Sequence, residues 1–140
     1  MSAEECEALL AEDVPANLAT LDGDGFPHVT PIWFIWRDGA FLMSSVADKP
    51  HLRRLAVDSR AGLNVHVEGP EDSNGERLNR QVRVIGDAEL EPDLGGAITR
   101  LITLRYLKGP GAVAQAARRA AMSRVVIRFR PTSWIAVSSR

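Results

Sequence analysis

Cysteine is nearly missing from this sequence. Cys6 stands alone, which excludes an internal disulfide framework and suits a reducing cytosol. Long apolar runs are missing too: no stretch reaches the ~20 residues of a membrane span, and the acidic opening Ser2-Ala3-Glu4-Glu5 is not the start expected of a secretory signal. Charge of one sign is also lacking. Seventeen Lys and Arg against 18 Asp and Glu leave a net −1 at pH 7, so there is no global field for nucleic acid or an anionic membrane, and anion binding must come from local clusters. No Gly-x-Gly-x-x-Gly follows a strand, no phosphate-loop Gly-Lys-Ser/Thr occurs, and no segment repeats. His28, His51 and His66 sit in separate elements without metal-ligand spacing, so no metal is expected. Neither Ser44 nor Ser45 lies in a nucleophile-elbow sequence. What is left is a single cytoplasmic domain spanning residues 1–140, with no nucleic-acid or membrane partner.

Two-residue periodicity dominates the rest. After a helix within residues 1–14, opened by a Ser2…Glu5 capping box and stopped by Pro15, the spacing predicts strands at 16–21, 27–36 and 40–45. A short helix follows at 51–57, then strands at 61–67 and 80–90 flank a surface loop over 68–80 rich in Gly, Pro and charge. A helix within 92–108 carries an apolar stripe of Ile98, Leu101, Ile102 and Leu104, an Ala-rich helix spans 112–122, and a last strand spans 125–137, bent at Pro131. Six strands joined mostly by hairpins, with three or four short helices, argue a mainly β antiparallel barrel with peripheral helices. From Ile32 to Trp36 both faces of the second strand are apolar, which demands a second cover, either a partner subunit or a flat ligand.

Three constellations could carry chemistry. Lys49, His51, Arg53 and Arg54 cluster at a helix start just after Ser44 and Ser45; cations beside orphan helix N–H groups bind phosphate or carboxylate, although four basic residues can equally form a solvated face. Gln81 and Arg83 share the polar face of an otherwise apolar strand, as an exposed sheet face or as donors lining a pocket. Trp33, Trp36 and Trp134 are core or interface residues, or stacking surfaces for a ligand ring.

The order of these pieces resembles a known family. Leu18-Ala19-Thr20-Leu21-Asp22-x-Asp24-Gly25-x-Pro27-His28-Val29-Thr30-Pro31-Ile32-Trp33-Phe34 is similar to the opening hairpin of the pyridoxamine 5′-phosphate oxidase-like proteins, split β-barrels that include flavin- and deazaflavin-dependent oxidoreductases. Lys49 to Arg60 resembles the family's basic helix with its closing Asp-Pro-Arg. Arg80-Gln81-Val82-Arg83-Val84-x-Gly86 resembles its Arg-Gln-Val-Arg strand, and Leu104 to Leu107 with Phe129-Arg130-Pro131-x-x-Trp134 resembles its later pattern. The resemblance implies a six-stranded split barrel and a homodimer with cofactor at the subunit interface. The cofactor's phosphate would lie near Ser44, Ser45, Lys49, His51 and Arg53, and its ring against Val29, Thr30 and Pro31, with Gln81 and Arg83 reaching in.

Departures narrow the activity. His28 and Trp33 stand where the true oxidases carry an Arg and a Lys for the FMN phosphate, and no Arg- and His-bearing substrate segment follows Trp134. Pyridoxamine-phosphate oxidation is therefore not expected. The deazaflavin branch relies on the basic loop, present as Lys49-x-His51-x-Arg53, so the resemblance implies an oxidoreductase using coenzyme F420, or else FMN, for hydride transfer to a small organic substrate. The alternative is a non-catalytic holder of flavin, haem or tetrapyrrole on the same barrel. His51 stands where Lys is usual, which would weaken anion binding as pH rises above ~6.5.

Overall fold

The computed structural model describes residues 1–139. Among these, seven antiparallel strands form one sheet in the order β2-β1-β5-β6-β7-β4-β3. They are β1 (Ala16–Leu21), β2 (Pro27–Ile32), β3 (Phe34–Arg37), β4 (Ala40–Val46), β5 (Arg60–Glu71), β6 (Arg77–Pro92) and β7 (Arg124–Ser139). Four helices lie against the sheet: α1 (Ala3–Leu10), α2 (Pro50–Val57), α3 (Ala97–Tyr106) and α4 (Ala112–Ala120). Helix α1 starts as its residues require, with the Glu5 N–H donating to Ser2 Oγ and the Ser2 N–H returning to Glu5 Oε2. None of the described helices is long and apolar enough to cross a membrane.

The predicted single strand over 27–36 is two strands. β2 pairs with β1 and β3 pairs with β4, so consecutive segments occupy opposite edges of the sheet with only Trp33 between them. Two edges joined by one residue oblige the sheet to curl on itself. The result is a split barrel of seven strands rather than six. Its core is built from the inward positions of each strand, with Leu18, Phe34, Phe41, Met43, Val65, Val82, Ile127 and Phe129 buried beside Leu9 of α1. The alternation is clean along β6, where Val82, Val84, Gly86 and Ala88 face in.

Side chains of α3 fasten the break. Arg105, 14% exposed, donates from Nη1 to the Phe34 carbonyl at 2.5 Å, and its Nη2 donates to the carbonyls of Leu10 and Glu12 at 2.7 Å apiece. Its guanidinium also lies 4.6 Å from the Phe34 ring centre. The Tyr106 hydroxyl donates to the Val14 carbonyl at 2.9 Å, and the Tyr106 ring stacks on Trp33 at 4.7 Å and 9°. One turn of helix thereby joins α1, the segment before β1 and the start of β3.

Two further expectations need correction. The surface loop expected over 68–80 is mostly sheet: β5 runs to Glu71, β6 starts at Arg77, and only a five-residue turn remains. There Asp72 Oδ1 accepts from the N–H groups of Asn74 and Glu76, just as Asp22 Oδ1 accepts from Asp24 and Phe26 in the first hairpin. The apolar stripe of the third helix is also rotated. Strand β6 persists through Pro92, and α3 buries Thr99, Ile102 and Thr103 while Leu101 and Leu104 are exposed. Threonine can face inward because its hydroxyls are satisfied: Thr103 Oγ1 donates to the Thr99 carbonyl at 2.8 Å and Thr99 Oγ1 to Asp93 Oδ2 at 2.6 Å.

Arg105→Met keeps the stem and removes the charge-assisted bonds to three carbonyls. Each such bond is worth about 1.5–3 kcal/mol, so a loss of at least that size is expected from the urea midpoint, and an unchanged midpoint would show that the seam is held elsewhere.

Candidate functional site

The start of α2 builds the site. Pro50 occupies the first helical position after Lys49, which has an extended backbone, so the orphan N–H groups of the first turn lie at this end. The Lys49 side chain is exposed and makes no hydrogen bond or ion pair among the described residues. Arg54, one turn on from Pro50, donates from Nε to Thr20 Oγ1 at 2.7 Å, which fixes the guanidinium against the barrel. These groups and Thr30, Pro31, Ile32, Ser45 and His51 line one cleft of about 420 Å³, within the range of small-molecule sites. A second hollow of about 400 Å³, lined by Asp22, His28, Arg53 and Val57 among others, adjoins it across Pro50 and Arg54.

Inside the cleft Ser45 Oγ and His51 Nε2 are hydrogen-bonded at 2.7 Å, and both residues are buried. Burial first, then the nearby Arg54 and Lys49, holds the His51 imidazole below its usual pKa. His51 is therefore neutral at pH 7 and serves as a buried hydrogen-bonding group. The titrating cation expected at this position is not what the environment permits. An unpaired ammonium, an anchored guanidinium, helix-start amides and a Thr-Pro-Ile wall form a donor set that fits an anion attached to a flat apolar group.

The predicted residues divide into three groups. Thr30, Pro31, Ser45, Lys49 and His51 come together in the cleft, and Arg53 lines the adjoining hollow. Ser44 points the other way, as alternation along β4 dictates: its hydroxyl lies 2.6 Å from Thr99 Oγ1 and accepts from Arg124 Nε at 3.1 Å. Val29, Gln81 and Arg83 lie on the outer face of the sheet, with cross-strand rows running Val29–Ala19–Gly62–Ile85 and Pro31–Asn17–Asn64–Arg83, and Gln81 opposite His66. Three strand spacings, about 14 Å, separate Pro31 from Arg83, so Arg83 does not line the cleft of its own chain. Arg53 does not line the cleft, whereas Arg54, which the resemblance leaves out of the phosphate set, does. The signal was its four-residue spacing from Pro50, which puts both on one helix face.

The comparisons agree with this architecture. The family model described as pyridoxamine 5′-phosphate oxidase matches residues 2–138, and the chain belongs to that family. No curated protein matches it in sequence. Among solved structures it is similar to an F420 reductase, at 26% identity and TM-score 0.65 over 92% of this chain and 94% of the other. It is also similar to a FAD-binding protein of Mesorhizobium loti, at 21% and 0.68 over 100% and 96%, and to the haem storage protein HutZ of Vibrio cholerae, at 15% and 0.68 over 95% and 92%. These structures share the split-barrel fold with this chain.

The depressed His51 pKa has a consequence for stability. Below ~6.5, the ordinary histidine value, the unfolded chain takes up a proton that the folded chain refuses. The contribution is therefore complete above pH 6.5 and declines as pH falls toward the folded value. Melting curves from pH 7.5 to 5 should show a steeper acid loss in the wild type than in His51→Gln, and parallel profiles would remove His51 as the responsible group.

Proposed function

We propose that this chain is a homodimeric oxidoreductase that holds coenzyme F420, with FMN as the alternative, and acts on a small organic molecule. The observation that carries the reading is the convergence of Lys49, Arg54, Ser45 and the α2 N-terminus beside Thr30 and Pro31 in one cleft of a split barrel. Lys49 and Arg54 would hold the phosphate, and Thr30 and Pro31 would support the ring. Such a cofactor, when bound, supplies hydride transfer. The chain's own part is to bind, orient and exclude water, and no side chain is assigned as acid or base.

Two observations support the finer points. Beyond the cleft a further cation, Arg53, follows Arg54 in the adjoining hollow, where His28 is held by Asp22, and a second cation past the phosphate site suits the longer anionic tail of F420 better than the single phosphate of FMN. The outer sheet face leaves Val29 65%, Ile85 60% and Ile135 49% exposed, and such a face fits a second copy of the chain. A partner packed there would bring its own Gln81 and Arg83 toward the ligand, roles they cannot fill within one chain. The buried, unpaired Cys6 is consistent with a cytoplasmic setting.

Titration of the purified protein with F420, FMN and haem tests the reading. F420 is expected to bind more tightly than about 100 μM, or roughly −5.5 kcal/mol, and no binding by F420 or FMN at that level would overturn it. Lys49→Ala should cost about 1.5–3 kcal/mol of that affinity; an unchanged value would move the anion off α2. Sedimentation should give a dimer that Ile85→Glu dissociates, and a monomeric wild type would remove the second subunit.

A further inference from the structure

A second concavity lies at the end of the barrel under α1 and shares no lining residue with the α2 cleft. It encloses about 390 Å³ between Glu7 of α1, Trp36 of β3, Gly39 and the bend of β7 from Pro131 to Trp134. Two indoles, Trp36 and Trp134, form part of its wall. Trp36 and Trp134 meet at 5.4 Å with their planes at 53°, and the fully buried Phe41 backs both, 4.7 Å from Trp36 and 6.2 Å from Trp134. In register Trp134 stands opposite Val84, on the inward side of β7, whereas Ile135 faces the outer surface proposed for dimerisation.

A carboxylate completes the groove. Trp36 Nε1 donates to Glu7 Oε1 at 2.9 Å, holding the acid at the rim beside the indole. Among the described residues Glu7 forms no ion pair, and no Lys, Arg or His lines the groove. The two indoles of the lining carry π faces of negative potential, the carboxylate adds a full negative charge, and no cationic side chain lines the groove to offset them. A neutral apolar ligand would gain only the walls. A cation with an alkyl or flat organic body gains walls, faces and charge together.

We infer that this groove is a binding site for a small organic cation, an alkylated or quaternary ammonium compound. Its occupation involves Trp36, Trp134 and Glu7 and none of the residues assigned to cofactor binding.

Choline and its uncharged isostere 3,3-dimethylbutan-1-ol make a matched pair of probes, followed by tryptophan fluorescence and calorimetry on the full chain. Choline should saturate with a Kd of about 1 mM or tighter, at least about fivefold below that of the alcohol. Glu7→Gln retains an acceptor for the Trp36 N–H, so the melting temperature should hold while choline affinity drops and alcohol affinity does not. Trp134→Ala, on a partly exposed position, should abolish the choline signal in a protein whose circular dichroism is unchanged. Equal affinity for the two probes, no saturation by choline, or a Glu7→Gln variant that binds choline as the wild type does would each overturn the inference.

Discussion

The barrel depends on a seam that backbone pairing does not close. β2 and β3 are the outermost strands of the sheet, yet they follow one another in the chain. Arg105 and Tyr106 span the gap instead, donating to the Phe34 carbonyl of β3 and to the Leu10, Glu12 and Val14 carbonyls of α1 and the segment before β1, with a ring on which Trp33 lies. Part-buried carbonyls left without donors would cost more than ordinary hydrogen bonds contribute. A largely buried guanidinium with a fixed fork of donors is well suited to serve several at once.

The cleft is assembled by the same economy of neighbouring side chains. Ser44 and Ser45 are adjacent but face opposite ways. Ser44 joins Thr99, Asp93 and Arg124 in the polar cluster beneath α3, while Ser45 meets His51 at the start of α2. One dipeptide of β4 therefore anchors two helices on opposite sides of the strand. Lys49, left without a partner among the described residues, stands at the mouth of a site whose other polar groups are already fixed. Fixed donors around a free cation lower the reorganisation needed when an anion arrives.

Much of this was legible in the residues because a strand's period of two is unambiguous where one face is buried. β1, β4, the inward face of β6 and the capping box of α1 follow their patterns directly. The break at Trp33 was not legible, since Pro27 to Trp36 reads as extended throughout and its two parts separate only by their long-range partners, β1 for one and β4 with α3 for the other. Gly69-Pro70 and Asn74-Gly75 both signal turns, but only the second makes one. Gly69 and Pro70 fall where the β5–β6 register shifts between Glu68 and Glu71. The apolar stripe of α3 does not mark its buried face, because the interior is met by Thr99 and Thr103, whose hydroxyls have local acceptors. In the site, the clustering of cations was plain, but direction was not: Ser44 from Ser45, and Arg53 from Arg54, separate only once the strand and helix are placed.

The seam also bears on how the chain folds. Closing the cylinder at Trp33 carries almost no loop-closure entropy, since the two edges are already neighbours in sequence. The expensive step lies on the far side, where β4 must find β7 with Ser44 opposite Val126 across most of the chain. Pairings of such separation slow folding. The hairpins β1–β2, β3–β4 and β5–β6 can each form locally, and the rate should be set by the capture of β7 between β6 and β4, the one strand whose arrival joins the two halves of the sheet.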